Sequence, residues 1–451
     1  MISSFIEILK SYGKESCLVY MDNLFSYNDL VKQVYKYNKE ISNHIQKGRV
    51  VGVIVDYSFH SIAMFLALAL NRNIIIPLSL DAKQKHDEFI KVGLVEYIVQ
   101  SDNDHTLHFS TVTTNDTCPF YKKLQDKRHA GLVLFSSGSS GTPKGIVHDL
   151  NQFLTAYEKS GKSLRTLIFL QMDHIGGLNT LFYNLRNKGL IVAPKSKSPV
   201  DVCTWIQNYK VELLPTSPTF LNLLILSGLI SQFDLSSLKL ITYGTEPMPE
   251  STLFHIKEHL PHVVLKQTYG LSETGILKTK SKSDNSLWVK LGGEDFDVKI
   301  ENNKLLIRSK VSMMGYLNAD DPFEEDGYIN TGDVVEKNGD WLKILGRESE
   351  LINVGGNKVF PAEIESVLQQ MKEVEDAVVY GQANPLTGQM VSTIIKTRDK
   401  IELSDFKIAM RKYCRKHLES YKIPVKVQLS EEKLYSERFK KKRNFKGAKV
   451  S

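Results

Sequence analysis

From residue 50 to residue 243 the chain repeats one pattern, a short apolar run followed by a segment of helix length. The runs fall at residues 50–56, 73–77, 95–100, 132–135, 166–170, 190–193, 211–215 and 238–243, and residues 61–70 read as the first intervening helix. Strands alternating with helices predict a largely parallel sheet covered on both faces. Loops in such folds collect ligands at the carboxyl ends of the strands. After about residue 285 the pattern changes, and polar, glycine-punctuated hairpins are expected at 298–309, 315–317, 327–334 and 341–345. Beyond Gly346-Arg347 comes a compact α+β pattern. It has a helix begun by Pro361, strands at 377–380 and 390–396, and a helix at 404–418. The fold class expected is α/β. A large N-terminal domain (residues 1–346) of mostly parallel sheets covered by helices, plus a small β-rich part, precedes a small α+β C-terminal domain (residues 347–451).

Composition narrows this picture. At 451 residues the chain exceeds one ordinary core, and 42% hydrophobic with 24% charged residues is globular. The most apolar stretch, residues 62–80, is broken by Asn71, Arg72 and Asn73, so it reads as helix, turn and strand, not as a membrane span. The formal charge of +7 is mild, and much of the excess sits in the tail at Arg438, Lys440, Lys441, Lys442, Arg443, Lys446 and Lys449. Most of that tail reads as a solvated end, and no nucleic-acid partner is expected. Cys17, Cys118, Cys203 and Cys414 lie far apart, which excludes zinc spacing and fits a reducing compartment. With no basic start followed by a long apolar run at the N-terminus, a cytoplasmic protein is expected.

The strongest chemical signal is LVLFSSGSSGTPKGIVH at residues 132–148. An apolar strand runs into Ser136, Ser137, Gly138, Ser139, Ser140, Gly141, Thr142, Pro143, Lys144 and Gly145. Glycines let backbone N–H groups approach an anion, hydroxyls add donors, and lysine supplies a point charge for phosphate. A Gly/Ser cluster by itself is more often a surface loop. Its place after a buried strand and its Thr-Pro-Lys-Gly ending favour a phosphate loop. It is not a Walker loop, because Gly145 stands where that motif needs Ser or Thr.

This loop resembles the signature of the adenylate-forming superfamily, which includes acyl- and aryl-CoA synthetases, firefly luciferase and peptide-synthetase adenylation domains. Other segments resemble that family's motifs in the family's order. Tyr269-Gly270-Leu271-Ser272-Glu273-Thr274 is similar to its Tyr-Gly-x-Thr/Ser-Glu segment. The resemblance gives Tyr269 to adenine and Glu273, with Ser140, to magnesium. Gly244-Thr245-Glu246 is similar to the glycine-rich segment on adenine's other side, with Thr245 and Glu246 replacing small residues. Thr331-Gly332-Asp333 would place Asp333 on the ribose, and Arg347 in the interdomain segment would reach ribose or phosphate. Ser349 stands at the hinge position. Gly355-Gly356 would let a pantetheine arm pass. His174, Gly176 and Gly177 resemble the family's histidine loop at the acyl pocket, and residues 214–219 resemble another pocket-lining segment.

The family's catalytic lysine follows a Pro-x-x-x-x-Gly-Lys pattern. Here Leu434 aligns with the leucine before that proline, which sets Lys441 on the lysine, with Tyr435 for the proline and Lys440 for the glycine. Lys446 is the second candidate. The resemblance implies an acid–thiol ligase using ATP, Mg2+ and coenzyme A or carrier-protein phosphopantetheine, with a fatty or aryl carboxylic acid as substrate. Lys441 would bridge carboxylate and α-phosphate. A mobile C-terminal domain would then rotate to admit the thiol. Two other readings stay open. One is an amino-acid adenylating enzyme using Asp173 for the substrate ammonium. The other is a non-catalytic relative.

Overall fold

The structure is a computed structural model and describes residues 1–102, 104–114, 116–136, 142–436 and 439–442. The alternating strands of the first half divide between two seven-stranded sheets. The first sheet runs in the order Val264–Gln267, Leu240–Tyr243, Leu213–Thr216, Arg165–Leu167, Leu190–Ala193 and Ser16–Tyr20, all parallel, closed by antiparallel Asn23–Ser26. In the second, Gly131–Ser136, Ile74–Ser79, Val50–Val55 and Tyr97–Ser101 are parallel. Its edges are antiparallel, with Lys144–Asp149 and then Gly315–Tyr316 on one side.

Periodicity finds strands but does not say which pair. The division is made by the layer between the sheets. Helix Phe59–Leu70 is apolar on all sides and almost wholly buried, so it needs cover on both faces. It shares one core with Leu18 and Ile191 of the first sheet and Val51 and Leu132 of the second. The helices start where the sequence supplies caps. The Ser58, Ser198 and Ser217 hydroxyls accept backbone N–H groups, and prolines occupy the first turns of Pro199–Tyr209 and Pro218–Leu226.

The third sheet is antiparallel: Tyr269–Leu271, Gly275–Ser281, Trp288–Gly292, Trp341–Arg347, Ile329–Asn338, Lys304–Ser309 and Phe296–Glu301. Ile329–Asn338 alternates buried and open positions at its start, as a sheet with one covered face requires. Residues 315–317, expected among these hairpins, instead extend the second sheet. Arg347 pairs in register with Asp333, so the third sheet runs one residue past the expected boundary at 346. A short 3-10 turn, Glu348–Glu350, separates it from the C-terminal fold.

That last unit is α+β. Helices Pro361–Leu368 and Leu403–His417 pack on a five-stranded sheet around their own core of Ile352, Ile364, Val379, Phe406 and Met410. No helix among the described residues is long and apolar enough to cross a membrane.

Candidate functional site

The site lies at the carboxyl ends of the first sheet's parallel strands, where the third sheet begins. Strand Leu240–Tyr243 ends in Gly244, which approaches Thr268 so closely that a Cβ would lie 2.7 Å from its hydroxyl. Thr245 follows at φ +74°, a left-handed backbone that a β-branched residue rarely adopts. Gly244 and Thr245 line a cavity of about 510 Å3 together with His174, Gly176, Thr268, Tyr269 and Gly270. A second cavity of about 350 Å3 shares Leu170, His174 and Thr245 with it and adds Phe169, Lys197, Phe439 and Lys440. His174 is the N-cap of helix Ile175–Arg186, and its Nδ1 accepts the Gly176 N–H at 3.1 Å.

Two polar clusters gather the remaining site residues, the first of them joined to the cavity wall by Tyr269. In one, the buried Tyr269 hydroxyl donates to Asp333, and the Arg347 guanidinium stands 3.5 Å from the same carboxylate. Burial raises the Asp333 carboxyl above the usual carboxylate range, against the pull of Tyr269 and Arg347. Burial, with Asp333 beside it, also lifts the Tyr269 hydroxyl. In the other cluster the Tyr316 hydroxyl donates to Glu273 Oε1 at 2.8 Å, and the Lys144 ammonium lies 4.9 Å from the Tyr316 ring centre. Asn318 braces the end of the phosphate loop, accepting the Gly145 N–H at 3.0 Å and donating to the Pro143 carbonyl at 2.9 Å. The His148 ring donates to the Ser272 carbonyl at 2.7 Å, and burial pushes its pKa down to about 4. A neutral imidazole thus ties the hairpin after the phosphate loop to the turn that carries Glu273.

The C-terminal tail closes this face. Phe439 packs between Phe169 and Phe220 of the N-terminal domain, with ring centres at 5.2 and 5.4 Å, and its carbonyl accepts the Ser217 hydroxyl at 2.9 Å. The Lys441 N–H donates to Glu246 Oε2 at 3.3 Å. The Lys441 ammonium turns the other way, into the C-terminal domain, where it meets Asp376 and the Ala377 carbonyl at 3.0 Å.

Residues 7–293 match the family described as AMP-binding enzyme, and residues 363–446 match the AMP-binding enzyme C-terminal domain. The chain belongs to the AMP-binding enzyme family. It is 26% identical to a 2-succinylbenzoate–CoA ligase of Bacillus pumilus over 92% of this chain and 91% of that protein. It is 27% identical to acyl-CoA synthetase 7 of Caenorhabditis elegans and 25% identical to 4-coumarate–CoA ligase 4 of Arabidopsis thaliana, over 66% and 72% of this chain. The matches span 61% and 63% of those two longer proteins. Among solved structures, the o-succinylbenzoate CoA synthetase of Bacillus subtilis in complex with its acyl-adenylate intermediate superposes with a TM-score of 0.76. That superposition has 19% identity and covers 98% of this chain and 97% of that one. The amide bond synthetase McbA of Marinactinospora thermotolerans gives 0.78 at 19% identity, over 97% of each chain.

In this AMP-binding enzyme Gly244, Thr245, Tyr269, Gly270, His174 and Gly176 line one cavity, Asp333 and Arg347 join it through the Tyr269 hydroxyl, and Glu273 and Lys144 meet at Tyr316. Ser136 ends the strand before the phosphate loop and Ser272 offers its carbonyl to His148. Ser137, Gly138, Ser139, Ser140, Gly141 and Lys446 lie outside the described residues. Glu246 accepts the Thr219 N–H at 2.8 Å and, from the tail, the Lys441 N–H at 3.3 Å. Gly177 is a packing glycine, since a Cβ there would sit 1.8 Å from the Gln171 carbonyl oxygen. Gly355 and Gly356 form an exposed left-handed turn on the C-terminal domain, at φ +58° and +89°. Asp173 is buried, and its Oδ2 accepts the Ser79 hydroxyl at 2.7 Å.

Sequence reasoning missed Tyr316, Asn318, Phe439 and Asp376. Tyr316 and Asn318 were hidden because their segment changes sheets. Asp376 carried a readable signal: a carboxylate entering an apolar strand needs a buried partner.

Proposed function

We propose that this protein is an ATP-dependent acid–thiol ligase. It forms an acyl-adenylate from a fatty or aryl carboxylic acid, releases pyrophosphate, and passes the acyl group to the thiol of coenzyme A or of a carrier protein. One observation carries the reading: the Asp333 carboxylate, suited to ribose hydroxyls, is held by Tyr269 at a cavity lined by Tyr269 and His174, while Tyr316 brings together a carboxylate and a lysine, Glu273 and Lys144, suited to a metal-bound triphosphate.

The residues fit magnesium. The described residues contain no group of three or more acidic, histidine or cysteine ligands, and Glu273 offers one carboxylate. Magnesium is commonly held that way, by one or two carboxylates together with substrate phosphates. When bound, it would neutralise phosphate charge. Glu273 would hold it, with its orientation fixed by Tyr316. Lys144 would meet the β- and γ-phosphates. Tyr269 would face adenine, and Asp333 would accept from both ribose hydroxyls, with Arg347 beside it. His174 and Gly176 would wall the acyl pocket. A carboxylate approaching ATP faces like-charge repulsion, so these groups act by neutralising charge and fixing an in-line approach.

The thiol step would use the Gly355–Gly356 turn, which is exposed here on the domain that does not hold the nucleotide. Domain rotation would exchange it for the tail. Four unpaired cysteines support a cytoplasmic location.

The test is pyrophosphate exchange with a panel of fatty, aryl and amino acids, repeated for thioester formation with coenzyme A and with a phosphopantetheinyl carrier protein. Exchange with fatty or aryl acids is expected. Exchange with amino acids alone, or with none, would overturn the assignment.

A further inference from the structure

We propose that the cation this chain carries to the reacting carboxylate is Lys440, and that Lys441 is a positioning residue which clamps the tail to the C-terminal domain through Asp376. The inference rests on the acid-activating reading above and names the group that serves it.

The geometry of the tail separates the two lysines. Tyr435 and Lys441 form an antiparallel bridge, with the Ser436 N–H donating to the Lys440 carbonyl at 2.9 Å and the Lys442 N–H to the Leu434 carbonyl at 3.0 Å. Successive side chains in such an extended pair point to opposite faces. Lys441 faces the C-terminal sheet. Its side chain is only 6% exposed and Asp376's is 7% exposed. Asp376 also accepts from the Gln369 amide at 3.2 Å and the Ala377 N–H at 2.9 Å, a donor set built for an ionised carboxylate. Drawing Lys441 out would strand a buried carboxylate, the costly half of breaking a buried pair. Lys440 faces the other way and lines the smaller cavity with His174, Gln171 and Thr245. Phe439, wedged between Phe169 and Phe220, fixes the depth of entry.

In the reaction a carboxylate oxygen bonds to the α-phosphorus. The bond from that phosphorus to the oxygen bridging to the β-phosphate breaks, and pyrophosphate leaves with its electron pair. No proton moves, and Lys440 stays an ammonium throughout. Lys441 acts through Lys440 by fixing where the tail begins.

The experiment compares three variants of the full chain. Lys440→Ala is expected to lower pyrophosphate exchange by about a hundred- to a thousand-fold, as loss of one transition-state donor does. It should leave AMP binding and thioester formation from supplied acyl-adenylate in place. Lys441→Met is expected to lower exchange and stability together. Adding Asp376→Leu to Lys441→Met replaces the buried pair by apolar groups, and should bring exchange back to within about tenfold of the starting enzyme. The assignment is overturned if Lys440→Ala keeps its exchange, or if the double variant stays as inactive as Lys441→Met. Acetylation with acetic anhydride, read by mass spectrometry, decides without turnover. Lys441 should label far more slowly than Lys440 in the folded protein, and equal labelling sinks the clamp. Absence of exchange in the unaltered protein with every acid would instead overturn the parent reading, while the labelling would still decide the geometry.

Discussion

The cleft and the C-terminal domain solve opposite problems. Around the cleft the backbone is packed until nothing can be added. A Cβ at Gly177 would lie 1.8 Å from the Gln171 carbonyl oxygen and 2.6 Å from the Tyr57 hydroxyl, and one at Gly244 would lie 2.7 Å from the Thr268 hydroxyl. On the C-terminal domain Gly356 has open space around it and owes its glycine to φ +89° alone. The first region uses glycine to bring elements together, the second to turn a chain that stays accessible. Rigid preorganisation belongs where charge must be held, and an open turn belongs on a part that moves. Gly177→Ala is the harshest way to break this contrast. The clash is with backbone, so we expect a loss of about 3 kcal/mol or more of stability, read by denaturant unfolding. A neutral outcome would mean that the helix after His174 is free to shift.

Asp333 tests the rigid side electrostatically. Burial raises its carboxyl above the usual range, so the folded protein holds that proton more tightly than the unfolded chain. Between the ordinary and the raised value the folded state binds more protons. Its contribution to stability therefore falls as pH rises through that window. Ribose binding needs the ionised form and runs the other way. AMP affinity should rise with pH across the same window, beginning above the ordinary carboxylate range. Asp333→Asn should flatten that limb and weaken AMP by about 1.5–3 kcal/mol, the worth of hydrogen bonds to a charged group. Calorimetric titration of AMP against pH reads both effects.

The sequence shows the two regions unequally. Strand runs such as 50–56 and 190–193, and the helix begun by Pro361, are legible because period and caps are local. The division into two sheets is not, because it depends on which faces of helix Phe59–Leu70 find partners. Asp333, Glu273 and Lys144 stood out through their motifs. Tyr316 did not, since its role comes from a two-residue strand added to the edge of a sheet formed far earlier in the chain. Lys440 and Lys441 show the sharpest limit. Alignment counts residues, but in an extended tail a step of one residue reverses the face, and the contact of Lys441 with Asp376 appears only in the structure.

At the seam between the regions Phe439 of the tail packs on the apolar cluster of Phe169 and Phe220. Phe439→Ala removes the aromatic pairs with Phe169 and Phe220, worth about 0.5–1.5 kcal/mol each, and the stack on Tyr435 within the tail. Pyrophosphate exchange should fall roughly ten- to a hundred-fold, with thioester formation from supplied adenylate far less affected. Equal loss in both steps would show that the wedge serves stability and not closure. Gly356→Ala should do the reverse at smaller cost, about 1–2 kcal/mol for a left-handed alanine. It should slow thioester formation while exchange keeps its rate.

The smallest effect we expect is a gain. Thr245 lies between the two cavities in a backbone conformation that costs a β-branched residue about 1–2 kcal/mol, while glycine there costs some 0.5–1 kcal/mol in chain entropy. Thr245→Gly should therefore raise the denaturation midpoint slightly, by the equivalent of about 0.5–1 kcal/mol. It should also remove a side chain from the wall that both cavities share. If that side chain shapes the acid pocket, KM for the acid should rise while KM for ATP stays within about twofold, the sign of uniform binding lost on one substrate alone. A stability gain with both KM values unchanged would assign the strain to the turn itself. It would leave His174 and Leu170 as the residues common to the two cavities that set the acid's position.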